Sequence, residues 1–254
     1  MLRKIFSKVS GKSEHQLANE ALRAAVIKGD LPKAARELAR GADVNAEDVN
    51  KLTSVYFAAA GGHTDILRLL LDRGGNVDAG TPGEGQGTAL TTAVYFGHND
   101  CAKLLMDRGA RHDLTDYDGR TPLHLAVDKA NSVLFMDMID RGVQVNSQNR
   151  SGNSPLHEAI TNNNETFAIV LVKAGADVAS KDRWGAPAED RAVAKQMKEL
   201  SAAIREEKER PAREAAAAKA AAEALAAALA KADTLQSDTA VLPPLQVRRR
   251  TLAP

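Results

Sequence analysis

The chain repeats itself at intervals of about 33 residues, and this period constrains its architecture more than any single motif, because repeats of this length belong to units that stack in a row. Gly41, Gly74, Gly109, Gly142 and Gly175 stand 33, 35, 33 and 33 residues apart. The stretch before each glycine repeats as well: Leu71-Asp72-Arg73-Gly74 returns as Met106-Asp107-Arg108-Gly109 and as Ile139-Asp140-Arg141-Gly142. A second signal lies ahead of these. Thr121-Pro122-Leu123-His124-Leu125-Ala126 recurs as Ser154-Pro155-Leu156-His157-Glu158-Ala159, and more loosely from Thr88 to Ala93 and from Thr53 to Ala58.

Each signal has a physical meaning. A Thr or Ser accepts a bond from a free backbone N–H at a helix start, and Pro suits the first helical position, where no donor is needed. The closing glycines suit the left-handed turn that ends a second helix, and the Asp, Asn and Gly residues after them suit a turn. Each unit therefore reads as a helix hairpin plus a turn. One hairpin cannot bury both of its apolar faces, whereas stacked neighbours share a continuous core, with Ala58, Ala93, Ala126 and Ala159 allowing close helix approach. The expected fold is an all-α solenoid.

These residues resemble the ankyrin repeat, whose pattern is a Thr-Pro-Leu-His helix start, a Gly-His between helices and a closing Gly-Ala-Asp-Val-Asn. Gly62-His63 and Gly97-His98 match the interhelical pair, and Gly41-Ala42-Asp43-Val44-Asn45 and Gly175-Ala176-Asp177-Val178 match the closing. The resemblance covers residues 17–204, as five repeats (17–46, 47–81, 82–115, 116–148 and 149–181) and a C-terminal cap (182–204). Lys33, Arg36 and Glu37, standing where the second unit has Ile66, Leu69 and Leu70, suit a solvated N-terminal cap. The cap after Gly175 is expected to open at Trp184-Gly185-Ala186-Pro187 and continue as one helix to about Ile204. Residues 1–16 form a basic N-terminal segment and residues 205–254 an Ala-rich helix and disordered tail.

Charge narrows the partners. A net charge of +1 over 254 residues argues against a nucleic-acid binder. No apolar run is long enough to span a membrane. Leu2, Ile5, Phe6 and Val9, with Arg3, Lys4 and Lys8 between them, fit a short amphipathic helix, so weak membrane-surface contact by this segment is the alternative to a frayed terminus. It lacks the apolar core of a secretory signal. The lone cysteine, Cys101, favours a reducing compartment, hence the cytoplasm. A monomer is expected.

Three sets of residues invite chemistry. Cys101 follows His98 closely and suggests a thiol nucleophile, but it shares its repeat position with Ile66, Leu134 and Phe167, an inward apolar one, so a buried, inert thiol is expected. His63, His98, His124 and His157 suggest a metal, yet equivalent histidines of adjacent repeats lie about 10 Å apart at helix-packing spacing, too far for one ion. The resemblance implies instead that they brace turns and helix starts. The glycine-rich segment from Thr81 to Gly87 lacks a following Lys-Ser or Lys-Thr and a preceding strand, so it reads as a lengthened turn finger and not as a phosphate loop. No catalytic residue, metal or cofactor is expected.

What the resemblance implies is a concave protein-binding face made by the turn fingers and the exposed side of the first helices. In this register it comprises Asn50, Leu52, Glu84, Tyr95, Phe96, Tyr117, Arg120, Asp128, Lys129, Arg150, Asn153, Thr161, Asn162, Arg183 and Trp184. With only 4% aromatic residues in the chain, Tyr95, Phe96, Tyr117 and Trp184 on one side suit an interface.

In the tail, 12 of the 16 residues from Ala215 to Ala230 are alanine, which favours a marginal helix. Pro211 is expected to break it from the capping helix, with a kinked continuation as the alternative. Beyond Asp233 an extended, polar stretch is expected. Leu242, Pro243, Pro244, Leu245, Arg248, Arg249 and Arg250 suggest a docking peptide, a contact of the arginines with an acidic membrane or, by analogy with bacterial effectors, a secretion address, with a plain mobile end as the alternative. The functional expectation is therefore a protein-interaction adaptor or scaffold. A secreted effector that binds a host protein, and an enzyme using Cys101 and His98, are the alternatives.

Overall fold

The computed structural model describes residues 13–81, 83, 85 and 87–239, with the backbone alone for residues 212 and 224–239. The basic segment before Ser13, Glu84 and the closing Leu242–Arg250 motif lie outside the described residues. The chain divides into two compact units, residues 1–204 and 205–254.

The first unit is a row of helix hairpins. They are α1 (Glu14–Ile27) with α2 (Leu31–Ala39), α3 (Ser54–Ala60) with α4 (Thr64–Asp72), and α5 (Ala89–Tyr95) with α6 (Asn99–Asp107). The row continues with α7 (Pro122–Asp128) and α8 (Ser132–Asp140), then α9 (Pro155–Thr161) and α10 (Glu165–Lys173). It ends with α11 (Ala188–Ala194) and the start of α12 (Lys198–Thr239). The middle hairpins pair a seven-residue helix with a nine-residue one. Each first helix packs on the first helices of its neighbours, α1 on α3, α3 on α5, α5 on α7, α7 on α9 and α9 on α11. The alanines expected at these contacts, Ala58, Ala93, Ala126 and Ala159, are fully buried.

Local chemistry accounts for the ends of these helices. Thr121 and Ser154 cap α7 and α9 in reciprocal boxes whose second member is the imidazole three residues on, His124 or His157. Thr88 and Thr91 do the same at α5 with hydroxyls. Gly41, Gly74, Gly109, Gly142 and Gly175 all take positive φ, between 68° and 90°, as the left-handed helix end requires. Between paired helices, a Cβ on Gly62 would lie 2.7 Å from the His98 ring of the following unit. The fourth unit has Ala130 at this place, facing a unit with Asn164 in place of that histidine.

Bonds between units repeat with the sequence. Asn45 donates from Nδ2 to the Gly74 carbonyl (3.0 Å) and accepts from the Asn76 N–H (2.7 Å), and Asn146 does the same with Gly175 (3.1 Å) and Asp177 (2.8 Å). The recurring Asp-Arg-Gly makes a ladder, with Arg108 on Asp72 of the unit before (2.8 Å) and Arg141 on Asp107 (2.7 Å). These pairs are exposed, so each contributes at most about 1 kcal/mol. Inside, the Phe135 and Phe167 rings of adjacent units stack with centroids 4.0 Å apart and planes 2° apart.

Several expectations change. The first helix starts at Glu14, capped by Ser13, ahead of the expected boundary at Leu17. Glu37 is buried and paired with Arg40 at 2.9 Å, so the N-terminal cap is only partly solvated. The last unit is a hairpin and not one helix: the chain reverses at Gln196, which has φ 57°. Pro211 lies inside α12, which runs on through the stretch expected to be extended as far as Thr239. Good helix formers flank Pro211, and the Glu209–Arg213 (2.6 Å) and Arg210–Glu214 (3.8 Å) pairs span it. The glycine-rich finger closes as a two-residue antiparallel ribbon, β1 (Gly80–Thr81) with β2 (Gly87–Thr88), so a short strand does precede it.

His124 and His157 brace neighbouring units. His124 meets Thr121 Oγ1 through Nδ1 (2.8 Å) and the Asn153 carbonyl of the next unit through Nε2 (3.0 Å). His157 meets Ser154 Oγ (2.8 Å) and the Ala186 carbonyl (3.4 Å) in the same way. Burial lowers both pKa values, that of His124 to about 4. The folded state thus holds His124 neutral while the unfolded chain takes up a proton near pH 6.5. Its contribution to stability is complete above that value and is lost as the pH falls toward 4, by on the order of 3 kcal/mol. Urea midpoints measured across this range should fall less for His124→Gln than for the unaltered chain; parallel slopes would contradict the assignment.

Candidate functional site

The fingers and first helices of the second to fourth units enclose a groove of about 300 Å³, lined by Tyr56, Gly85, Thr91, Thr92, Tyr95, Phe96, Asp116, Tyr117, Asp118, Arg120 and Leu125. Tyr95 and Phe96 stand at the end of α5, where the helix turns out of the core, and are 44% and 56% exposed. Their rings meet edge to face at 5.2 Å. Tyr117, 61% exposed, stands on the fourth finger, where Asp116 Oδ1 accepts the N–H groups of Asp118 (3.0 Å) and Arg120 (2.9 Å) and fixes the turn.

Cations surround these rings. Lys129 Nζ lies 4.2 Å from the Tyr95 centroid and the Arg150 guanidinium 4.7 Å from that of Tyr117. Arg150 also donates to the Gly83 carbonyl, tying the lengthened third finger to the fifth. Arg120 is half-buried and held by Asp116 (2.8 Å), Asp118 (3.4 Å) and Asp128 (3.8 Å). Its pKa rises despite burial, because all three carboxylates favour its charge.

The structure thus brings together Tyr95, Phe96, Tyr117, Arg120, Asp128, Lys129 and Arg150. Thr161, Arg183 and Trp184 gather elsewhere, at the last finger. There Trp184 is 68% exposed, Arg183 lies 5.0 Å from its ring, and Arg191, paired with buried Asp182, bonds Thr161 Oγ1 at 3.2 Å. Asp182 stays ionised: burial would raise its pKa, but the Ala186 and Trp184 N–H groups and Arg191 hold it low. Asn162 is exposed at the end of α9.

Leu52 and Asn153 are not free fingertip residues. Leu52 is 2% exposed and belongs to the core. Asn153 is half-buried, with its carbonyl taken by His124 and its side-chain oxygen enclosed.

Sequence reasoning missed Glu158. It occupies the repeat position of Phe57, Thr92 and Leu125, and a carboxylate at that place was the available signal. Burial first, then the charge of Asp128, pushes its pKa up to about 8. Asn149 donates to Oε1 at 2.8 Å, while Oε2 is enclosed without a hydrogen-bond partner among the described residues.

His98 and Cys101 border a hollow of about 380 Å³, yet the pair is poorly set for nucleophilic chemistry. Cys101 is 1% exposed and burial raises its thiol pKa, with Thr64 Oγ1 at 3.3 Å. The His98 Nε2 faces the Ala60 carbonyl at 3.0 Å. Among the described residues no three histidine, cysteine or carboxylate side chains gather to hold a metal ion, and no helix is long and apolar enough to cross a membrane.

The family model described as ankyrin repeats (3 copies) matches residues 22–116 and 108–182. No curated protein sequence matches. Among solved structures, one similar chain comes from the complex of a predatory endopeptidase from Bdellovibrio bacteriovorus with an immunity protein. It is 27% identical, with a TM-score of 0.62, over 73% of this chain and 97% of that one. Another is an ankyrin repeat domain from Acinetobacter baumannii, 22% identical with a TM-score of 0.67, over 74% of this chain and 97% of that one.

The buried thiol gives a direct check. Alkylation of Cys101 in the native protein should be slower than in urea by a factor of about 100 or more, as its exposure then requires local opening. Equal rates would revive the thiol as a reactive group.

Proposed function

The chain belongs to the ankyrin-repeat family, and from that premise we propose that it is a non-catalytic adaptor or scaffold in the cytoplasm, binding another protein through the groove beside α5 and α7. The observation that carries this reading is the exposed ring set of Tyr95, Phe96 and Tyr117 around a cavity of about 300 Å³, in a chain with 4% aromatic residues. Exposed aromatic clusters of this kind supply binding hot spots, and the packing of the core does not need them. Arg120, Asp128, Lys129 and Arg150 form the charged rim. The Trp184 patch, with Thr161, Asn162 and Arg183, extends the surface toward the cap.

A second reading follows from the Bdellovibrio complex, in which a peptidase is bound with an immunity protein. By that analogy the partner is a bacterial hydrolase held by this chain.

Replacing Tyr95, Phe96 and Tyr117 together by Ala tests the groove. Capture of the native partner from cell extract should be lost, with the folding free energy changed by no more than about 1 kcal/mol, as for surface substitutions. Retained capture would move the interface elsewhere.

A further inference from the structure

The groove has a narrower chemistry than protein binding in general. Its walls are the exposed rings of Tyr95, Phe96 and Tyr117, whose faces attract cations. Two of them already carry the protein's own cations on one flank, Lys129 and Arg150. At its polar end, Asp116, Asp118 and Asp128 share the single guanidinium of Arg120, and Lys129 reaches only Asp128, at 3.4 Å. Asp118 is the most open of the three carboxylates, with a side chain 60% exposed and Arg120 no closer than 3.4 Å.

We propose that this groove receives a basic side chain, an arginine or a lysine, projecting from the partner protein, with its alkyl stem along the exposed rings and its charged head toward Asp118. This rests on the groove being the partner-binding surface. A purely apolar anchor would strip water from Asp118, which Arg120 reaches only at 3.4 Å, and an acidic one would add a like charge beside it; both are costly. A long basic side chain meets both requirements, because its stem packs on apolar surface while its head stays polar.

Glu158, one unit further along, feels the charge of Asp128 more than that of Arg120. Its enclosed Oε2 lacks a hydrogen-bond partner among the described residues, and burial together with the negative charge of Asp128 keeps its carboxyl protonated to about pH 8.

Selecting a displayed library of random linear peptides on the folded full-length protein tests this. Peptides that bind the unaltered chain and not the Tyr95, Phe96 and Tyr117 triple-alanine variant should share an arginine or lysine. Replacing that residue by citrulline or norleucine, or Asp118 by Asn in the protein, should weaken binding by about tenfold or more. Groove-dependent peptides without a basic residue, or with one that norleucine replaces at no loss, would overturn the cation while leaving the groove reading intact. Selected peptides that bind the triple variant undiminished would overturn the groove reading itself.

Discussion

No unit of this chain can close its own core. A seven-residue helix paired with a nine-residue one offers two apolar faces and covers neither, so each hairpin is held by the units on either side. The stacking of Phe135 on Phe167, the columns of buried alanine and the bonds from Asn45 and Asn146 into the following units all cross such boundaries. His124 and His157 are the clearest case. Each imidazole completes the cap of its own helix and then reaches a carbonyl of the next finger, so helix start and finger position are set by one side chain.

The groove follows from that dependence. Fingers held at fixed spacing present Tyr117 and Arg150 side by side, and the ends of the first helices present Tyr95, Phe96, Asp128 and Lys129 beside them. The lengthened third finger adds a local feature, as its ribbon places Gly83 where Arg150 ties it down across the fourth unit. Because the scaffold is built from positions that repeat, the positions that do not repeat are free to carry recognition.

Much of the fold was legible because its determinants are periodic. The closing glycines, the caps at Thr88, Thr121 and Ser154 and the inward place of Cys101 could each be read by comparing one unit with the next and stand as expected, whereas Thr53 makes no side-chain cap bond. What escaped depends on contacts that periodicity does not encode. Glu37 is buried where a solvated cap residue was expected, paired with Arg40 just past the end of α2, and Leu52 closes over the core beneath an exposed fingertip. The persistence of α12 through Pro211 depends on the helix formers and ion pairs around it. Of the groove, the aromatic rim could be read from the register. Asp116 and Asp118 at its polar end could not, since they look like ordinary turn residues until the finger folds. Glu158 could have been found as a carboxylate in an apolar column.

The claim that stability resides in contacts between adjacent units is tested most directly by deleting residues 116–148, one full period, and following helical ellipticity during denaturation. If each unit depends only on its neighbours, the shortened chain keeps a cooperative transition at a lower midpoint, because the third and fifth units can stack on each other. Complete loss of cooperative unfolding would contradict this, and would mean that the fourth unit supports residues beyond its immediate neighbours.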